Sequence, residues 1–117
     1  MVLNFEFADN VIGITIDTDV DKELMKEIIA SILDRMKAHE TINLFCELKR
    51  GKTISLQAFF ENLKFNIKHR GEFCKIAVVT DRKWIKAVYE VNVELADANI
   101  KIFDNKDRLE ALNWISS

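Results

Sequence analysis

The 117-residue chain has no proline and only three glycines, so it lacks the residues that usually build linkers and low-complexity segments. Its 17 basic and 19 acidic side chains leave a formal net charge of −2, which provides no overall attraction to nucleic acid or to an anionic membrane. No apolar run approaches the roughly 18 residues of a membrane span, and the N-terminus lacks the basic start of a secretory signal. We therefore expect a single cytoplasmic domain over residues 1–117, without a nucleic acid partner and without membrane insertion.

Cysteine is also scarce. Cys46 and Cys74 both lie inside apolar runs, and neither has the CxxC or CxxH spacing of a redox motif or a zinc site. A free cysteine behaves as a small apolar core residue. The sequence therefore predicts two buried thiols, no metal site and no cofactor.

Five short segments have the pattern of β-strands. The first alternates apolar and polar residues from Leu3 to Phe7, and the Asp9-Asn10 pair that follows tolerates the tight turn of a hairpin. A second strand then runs from Val11 to Ile16. The other three segments, 42–48, 73–79 and 100–103, are compact apolar runs of the kind that buried parallel strands show.

Four further segments have apolar residues at helical spacing. The first helix follows Thr18 and Asp21, which resemble a capping box, the second begins near Ser55, and the third follows Asp81 as its cap. The predicted apolar positions are Leu24, Met25, Ile28, Ile29, Ile32, Leu33 and Met36 in the first helix, Leu56, Phe59, Phe60, Leu63 and Ile67 in the second, Trp84, Val88, Val91 and Leu95 in the third, and Leu109, Leu112 and Ile115 in the last. The order β-β-α-β-α-β-α-β-α predicts an α/β fold with a mainly parallel, mixed five-stranded sheet whose first strand is antiparallel.

Parallel strands place their strand-to-helix loops at one edge of the sheet, so the segments 17–19, 49–53, 80–83 and 104–106 should gather there. Basic residues dominate two of these loops. We expect them to form a rim that attracts an anion, because helix N-termini add partial positive charge at the same edge. The residues of this predicted basic rim are Lys49, Arg50, Lys52, Arg82 and Lys83.

The segment Gly51-Lys52-Thr53 matches the second half of a Walker A loop. The first glycine of that motif would fall at Cys46, inside a predicted strand, so the loop is too short to wrap a nucleotide phosphate. We therefore expect no nucleotide hydrolysis and retain only a single-anion site. Of the nearby hydroxyls, Thr53 or Ser55 either caps the second helix or is a regulatory site.

Other polar residues have structural explanations. The acidic residues before and within the first turn of the first helix are Asp17, Asp19, Asp21 and Glu23. Acids are favourable at a helix N-terminus, so we do not interpret them as metal ligands. His39 and His69 lie near predicted helix C-termini, where partial positive charge is favourable. No Ser/His/Asp order and no convincing pair of carboxylates emerges, so we expect a protein that is not an enzyme.

The second helix has an unusual second apolar face. Ile54 and Phe65 lie opposite its main stripe, close in azimuth to Ala58. Such a face needs a cover, which either another helix of the chain, a partner subunit or an apolar ligand supplies. If the chain itself leaves the face uncovered, Ile54 and Phe65 should mediate a homodimer.

The segments 63–70, 75–84 and 100–104, read with the order of elements, resemble the SpoIIAA-like family, relatives of the STAS domain of anti-anti-sigma factors and anion transporters. The resemblance implies a βα superhelix of about this size and a cytoplasmic, non-enzymatic role. STAS anti-anti-sigma factors carry a phosphorylatable serine between an aspartate and a glycine. The corresponding segment here, Lys49 to Ser55, lacks both neighbours.

These observations support two functional hypotheses. The first is a binding or regulatory module that contacts an unidentified protein partner through the strand-to-helix edge. The second is a carrier or sensor of a small apolar molecule held between the second and third helices, which the resemblance allows because lipid-carrying folds share this architecture.

Overall fold

The computed structural model describes residues 2–6, 10–38, 42–91 and 99–117. Its sheet contains five strands in chain order, with β1 antiparallel to β2 and every other pair parallel. The strands are β1 (Val2–Glu6), β2 (Val11–Ile16), β3 (Ile42–Leu48), β4 (Phe73–Val79) and β5 (Ile100–Phe103). The predicted α/β fold with a mixed five-stranded sheet is confirmed.

Four helices accompany the sheet: α1 (Lys22–Met36), α2 (Leu56–Lys68), α3 (Lys83–Val91) and α4 (Arg108–Ser116). Each of the first three connects neighbouring parallel strands, and right-handed crossovers between strands in chain order place all three on one face of the sheet. α4 packs on the opposite face, against β3 and β4. The predicted order of elements is therefore correct.

Successive side chains along the strands point to opposite faces of the sheet, and they contribute to two separate cores. On the face of α1 to α3, Ile14 and Leu44 pack with Ile28 and other helical residues. On the face of α4, Phe45 packs with Ile115. The near-continuous apolar runs of β2 to β4 follow from this burial on both faces.

The hairpin between β1 and β2 uses two special backbone positions. Asn10 has a φ of 70°, a turn conformation that asparagine tolerates. Gly13 pairs with Phe5 across the strands, and a Cβ at Gly13 would lie 2.3 Å from the Phe5 ring. Glycine therefore allows the aromatic ring to cover β2. Phe7 and Asp9, which the sequence also assigns to the hairpin, lie outside the described residues.

The caps differ partly from expectation. α1 begins at Lys22, and Asp21 rather than Thr18 caps it by accepting a hydrogen bond from Leu24 N at 2.8 Å. α3 begins at Lys83, whereas the carboxylate of Asp81 accepts a hydrogen bond from Asn105 N and pairs with a guanidinium group. The predicted Asp81 cap is therefore wrong, because the neighbouring loop engages this side chain.

The buried side of α2 is wider than the predicted stripe. Leu56 and Phe60 are 63% and 60% exposed, whereas Phe65 is only 5% exposed. α2 lies between α1 and α3, so both flanks of the helix are covered while part of the predicted stripe faces solvent. Leu109 in α4 is likewise exposed, against expectation. Leu95 and His39 lie outside the described residues.

The two cysteines occupy different environments. Cys46 is partly buried on β3, whereas Cys74 is exposed on β4, so the prediction of two buried thiols is wrong for Cys74. Cys74 lies near the start of β4, where Asn99 Nδ2 donates to its carbonyl oxygen. Cys74 precedes Ile76, where the pairing of β4 with β5 begins, so no β5 residue is paired opposite it.

Candidate functional site: a basic edge and an apolar cavity

The loops at the carboxyl ends of the parallel strands meet through hydrogen bonds. Arg82 Nε donates to Lys52 O at 3.0 Å, and Asn105 Nδ2 donates to Leu48 O at 2.9 Å. Asn105 N donates to Asp81 Oδ1 at 2.8 Å. The structure therefore brings together the loops that follow β3, β4 and β5, as the sequence predicted.

A depression of about 190 Å³ lies between these loops. Its lining residues are Lys49, Arg50, Gly51, Lys52, Thr80, Asp81, Arg82 and Asn105. Gly51 has a φ of 79°, a left-handed conformation that glycine adopts readily, and the backbone turns there along one side of the depression. Four residues of the predicted basic rim line the depression, whereas Lys83 is exposed and does not.

Acidic groups offset part of the positive charge at this edge. Arg50 Nε lies 3.3 Å from the Asp81 carboxylate. Thr53 N donates to Asp19 Oδ1 at 2.9 Å, and this bond, followed by the charges of Lys52 and Arg82, lowers the pKa of Asp19. A carboxylate thus takes the amide that a Walker A loop would offer to a phosphate.

The two hydroxyls in this loop have different surroundings. Ser55 caps α2, because its Oγ accepts a hydrogen bond from Ala58 N at 3.1 Å. Thr53 is exposed, and its carbonyl oxygen accepts from Val20 N at 2.8 Å. The helix cap is therefore Ser55, and modification of Thr53 stays a prediction.

A buried carboxylate lies behind the edge, on the face of the sheet that α4 covers. Glu47 is 2% exposed and accepts hydrogen bonds from Arg108 Nε at 2.9 and 3.1 Å and from Thr15 Oγ1 at 3.3 Å. Sequence reasoning treated residues 42–48 as a compact apolar run and did not consider Arg108 as a partner for Glu47. An acid inside a strand that is otherwise buried was the available signal for a partner elsewhere in the chain.

On the other face, an apolar cavity of about 70 Å³ lies between the sheet and helices α1 to α3. Aliphatic side chains form most of its wall, with Phe59 and Tyr89 from α2 and α3. The lining residues are Ile16, Val20, Met25, Ile28, Ile29, Ile32, Leu44, Cys46, Glu47, Leu48, Ile54, Phe59, Asn62, Asn66, Ile76, Val78, Thr80, Ile85 and Tyr89. The cavity lies between the sheet and α1 to α3, whereas the carrier hypothesis placed the ligand between the second and third helices.

One part of the cavity wall is polar. Asn62 Nδ2 and Asn66 Nδ2 donate to the Tyr89 hydroxyl at 3.0 and 3.1 Å. The Oδ1 atom of Asn66 is buried and has no hydrogen-bond partner. Burial raises the pKa of the Cys46 thiol to about 12 and also raises the pKa of the Tyr89 hydroxyl, so both groups are uncharged near neutral pH.

Asn62 and Asn66 are functional candidates that sequence reasoning missed. They are separated by one helical turn and lie on a helix whose other buried residues are apolar. Two amides at i and i+4 on such a helix were a usable signal, because a buried amide needs partners. Their shared partner on α3 became visible only in the tertiary structure.

The predicted apolar face of Ile54 and Phe65 divides between two environments. Ile54 lines the cavity and forms an isolated parallel bridge with Val20. Phe65 is buried against Phe73, with ring centroids 5.8 Å apart, in the core shared with α1. The chain thus covers Phe65 itself, so the condition for a homodimer through this residue is not met, and Phe65 is not among the residues that line the cavity.

Among the described residues, no group of three or more His, Cys, Asp or Glu side chains could hold a metal ion. Within the same residues, none of the helices has the length and apolar character needed to span a membrane.

A sequence model of the SpoIIAA-like family matches residues 11–116. A search of curated proteins found no match. Among solved structures, the chain is similar to an uncharacterized protein of the DUF3478 family with a SpoIIAA-like fold from Shewanella loihica PV-4. The TM-score is 0.66 at 16% sequence identity, and the alignment covers 98% of this chain and 92% of that chain, which is a likeness of fold.

Proposed function

Because the chain belongs to the SpoIIAA-like family, whose fold supports a binding or regulatory module, we propose that it is a non-enzymatic module that binds a small, mainly apolar molecule in the cavity between the sheet and α1 to α3. The observation that carries this proposal is an apolar cavity with an unpartnered buried amide oxygen, Asn66 Oδ1, in its wall. An apolar pocket with a few convergent polar groups is the usual form of a small-molecule site.

The cavity volume limits the size of the ligand. A single water molecule needs about 10–15 Å³, whereas an engineered apolar cavity of about 150 Å³ takes up benzene. The volume of about 70 Å³ found here therefore accommodates an apolar group smaller than benzene. A longer chain requires side chains of the wall to move, and Met25 is an adaptable residue in that wall.

Methyl-labelled protein under xenon pressure tests whether the cavity admits an apolar guest. We expect NMR shifts at the methyl groups of Ile28, Val78 and Ile85, which line the cavity. The methyl groups of Val11 and Ile115, in the core on the α4 side, should not shift.

A matched pair of variants controls this experiment. Cys46→Leu adds carbon atoms at the cavity wall and should abolish the xenon shifts. Cys74→Leu makes the same change at an exposed site and should leave them intact. Unchanged cavity methyl signals in the wild-type protein would refute the proposal.

The basic edge supports a second candidate function, a contact surface for a protein partner that presents an anionic group. Four basic residues surround the depression of about 190 Å³ there. Binding should be weak and sensitive to salt, because exposed charges are screened beyond about 8 Å at physiological ionic strength. The exposed position of Thr53 within the same loop also makes it the site at which modification would change this surface.

Phosphate titration at low ionic strength tests the second candidate. We expect the amide signals of Gly51, Thr53 and Arg82 to move first. Lys52→Glu should abolish the shifts, whereas Lys26→Glu, which changes the net charge equally at an exposed position on α1, should not. Equal effects of the two variants would show that only overall charge matters.

We place this activity in the cytoplasm. The support is that Cys46 and Cys74 are both free thiols, a state typical of a reducing compartment.

A further inference from the structure

The polar part of the cavity wall has hydrogen-bonding capacity that the protein leaves unused. A tyrosine hydroxyl has one proton to donate and two lone pairs that accept. Asn62 Nδ2 and Asn66 Nδ2 occupy both lone pairs of the Tyr89 hydroxyl. Because both amide nitrogens donate to it, the Tyr89 hydroxyl keeps its own proton for a further acceptor.

The acceptor beside it is Asn66 Oδ1. Asn66 is 2% exposed, and its Oδ1 atom is buried without a partner. A buried polar atom without a partner is costly, so Asn66 Oδ1 gains free energy from any donor that reaches it. The wall thus presents one donor and one acceptor on neighbouring side chains.

This pairing determines the chemical class of the ligand, on the basis of the proposed cavity function. We infer that the ligand carries an uncharged head group that both accepts and donates a hydrogen bond, a hydroxyl group being the simplest case, and that it binds the Tyr89 hydroxyl and Asn66 Oδ1. The remaining part of the ligand is a short apolar chain in contact with the aliphatic wall. A charged head is disfavoured, because the one charged side chain of the lining, Glu47, is already paired with Arg108 and Thr15, and burial of an unpaired charge is costly.

Three probes with similar apolar chains separate these alternatives: 1-butanol, which donates and accepts; methyl propyl ether, which only accepts; and butylammonium, which is charged. Their dissociation constants are measured by titration of methyl-labelled wild-type protein. We expect 1-butanol to bind about tenfold more tightly than the ether, because the ether leaves Asn66 Oδ1 unpartnered. Butylammonium should bind least.

Variants of the polar cluster locate the source of the preference. Asn66→Leu removes the acceptor and should reduce the preference for 1-butanol over the ether to less than about twofold. Asn113→Leu makes the same substitution at an exposed position on α4 and should preserve it. Tyr89→Phe removes the donor from which 1-butanol and the ether both accept, so it should weaken both probes and preserve the preference, which provides a second readout if Asn66→Leu does not fold.

The outcomes distinguish this inference from the proposed function. If the ether and 1-butanol bind within about twofold of each other in the wild-type protein, or if 1-butanol fails to enter while xenon does, the head-group inference is wrong and the apolar cavity function stands. If neither xenon nor any of the three probes shifts the cavity methyl signals, both are wrong. Tenfold selectivity that persists in Asn66→Leu would also overturn the inference, because the preference would then arise elsewhere.

Discussion

Two buried polar clusters on opposite faces of the sheet differ in how completely the protein satisfies them. Glu47, on the α4 face, is bonded to Arg108 and Thr15 through both of its oxygens. Asn66, on the face of α1 to α3, is equally buried at 2% exposure, yet its Oδ1 has no partner. Both residues line the cavity, but the first cluster is complete without a ligand, whereas the second leaves one acceptor without a partner.

The packing around the two clusters follows the same division. On the α4 face, Phe45 and Ala111 are fully buried in a core that continues to Ile115. On the opposite face, the three helices meet the sheet around a free volume of about 70 Å³. Asn43 Oδ1, on the α4 face, is also buried without a partner, so it is the adjoining free volume together with the missing partner that makes Asn66 a candidate binding group.

The largest expected effect on stability concerns α2, and it tests which side of this helix belongs to the core beside the cavity. Phe65→Ala should lower the free energy of unfolding by about 3–5 kcal/mol, because Phe65 packs against Phe73 and α1. Phe60→Ala, at a position 60% exposed, should change it by less than about 0.5 kcal/mol. Urea unfolding measures both changes. Similar losses for the two variants would contradict the observation that Phe65 is buried in the core and Phe60 is exposed to solvent.

The next prediction breaks the complete cluster. Arg108→Met leaves the Glu47 carboxylate buried without its ionic partner, so we expect a loss of about 3 kcal/mol. Adding Glu47→Gln to this variant removes the buried charge and should recover part of the loss. By contrast, Asn66→Leu in the incomplete cluster should change stability by no more than about 1 kcal/mol. Urea unfolding compares the three, and a cost of Arg108→Met below that of Asn66→Leu would reverse the interpretation of the clusters.

A third prediction uses the thiol in the cavity wall. Burial raises the pKa of Cys46 from 9.0 to about 12, so the stability that this group contributes is fully present below pH 9 and is lost as the pH rises toward 12. At pH 10 the loss should be about 1–2 kcal/mol, because the thiol ionises in the unfolded chain but not in the folded one. Cys46→Ala should remove this part of the alkaline destabilisation in unfolding experiments, whereas Cys74→Ala should retain it. Identical pH profiles for the two variants would contradict the burial of Cys46.

The smallest effect concerns the exposed edge. The pKa of Asp19 is lowered by the hydrogen bond from Thr53 N, so its contribution to stability is present above about pH 4 and is lost as the pH falls through the lowered pKa. Asp19→Asn should destabilise the protein slightly near neutral pH, and the difference should disappear in acid. Asp34→Asn, a change at an exposed site on α1, is the control for loss of charge. A difference between wild type and Asp19→Asn that does not vary with pH would exclude this electrostatic contribution.

Sequence reasoning predicted the fold well because its signals are local. Strand and helix patterns, the Ser55 cap and the turn at Asn10 each depend on a few neighbouring residues. Reasoning about the site was less complete, because Asn62 and Asn66 form their polar cluster through hydrogen bonds to Tyr89, which lies more than 20 positions further along the chain. The same limitation applies to Glu47, whose partner Arg108 is 61 residues away.

The sequence by itself determined the order of strands and helices, because hydrophobic periodicity and turn chemistry act over short distances. It also determined which loops meet at one edge, since parallel strands joined by right-handed crossovers leave no other arrangement. Only the tertiary structure decided that Phe65 is core, that Phe60 is exposed and that Asn66 lacks a partner. These properties depend on how neighbouring helices pack against the sheet. Packing brings together residues that are far apart in the chain, so no local sequence pattern predicts these contacts.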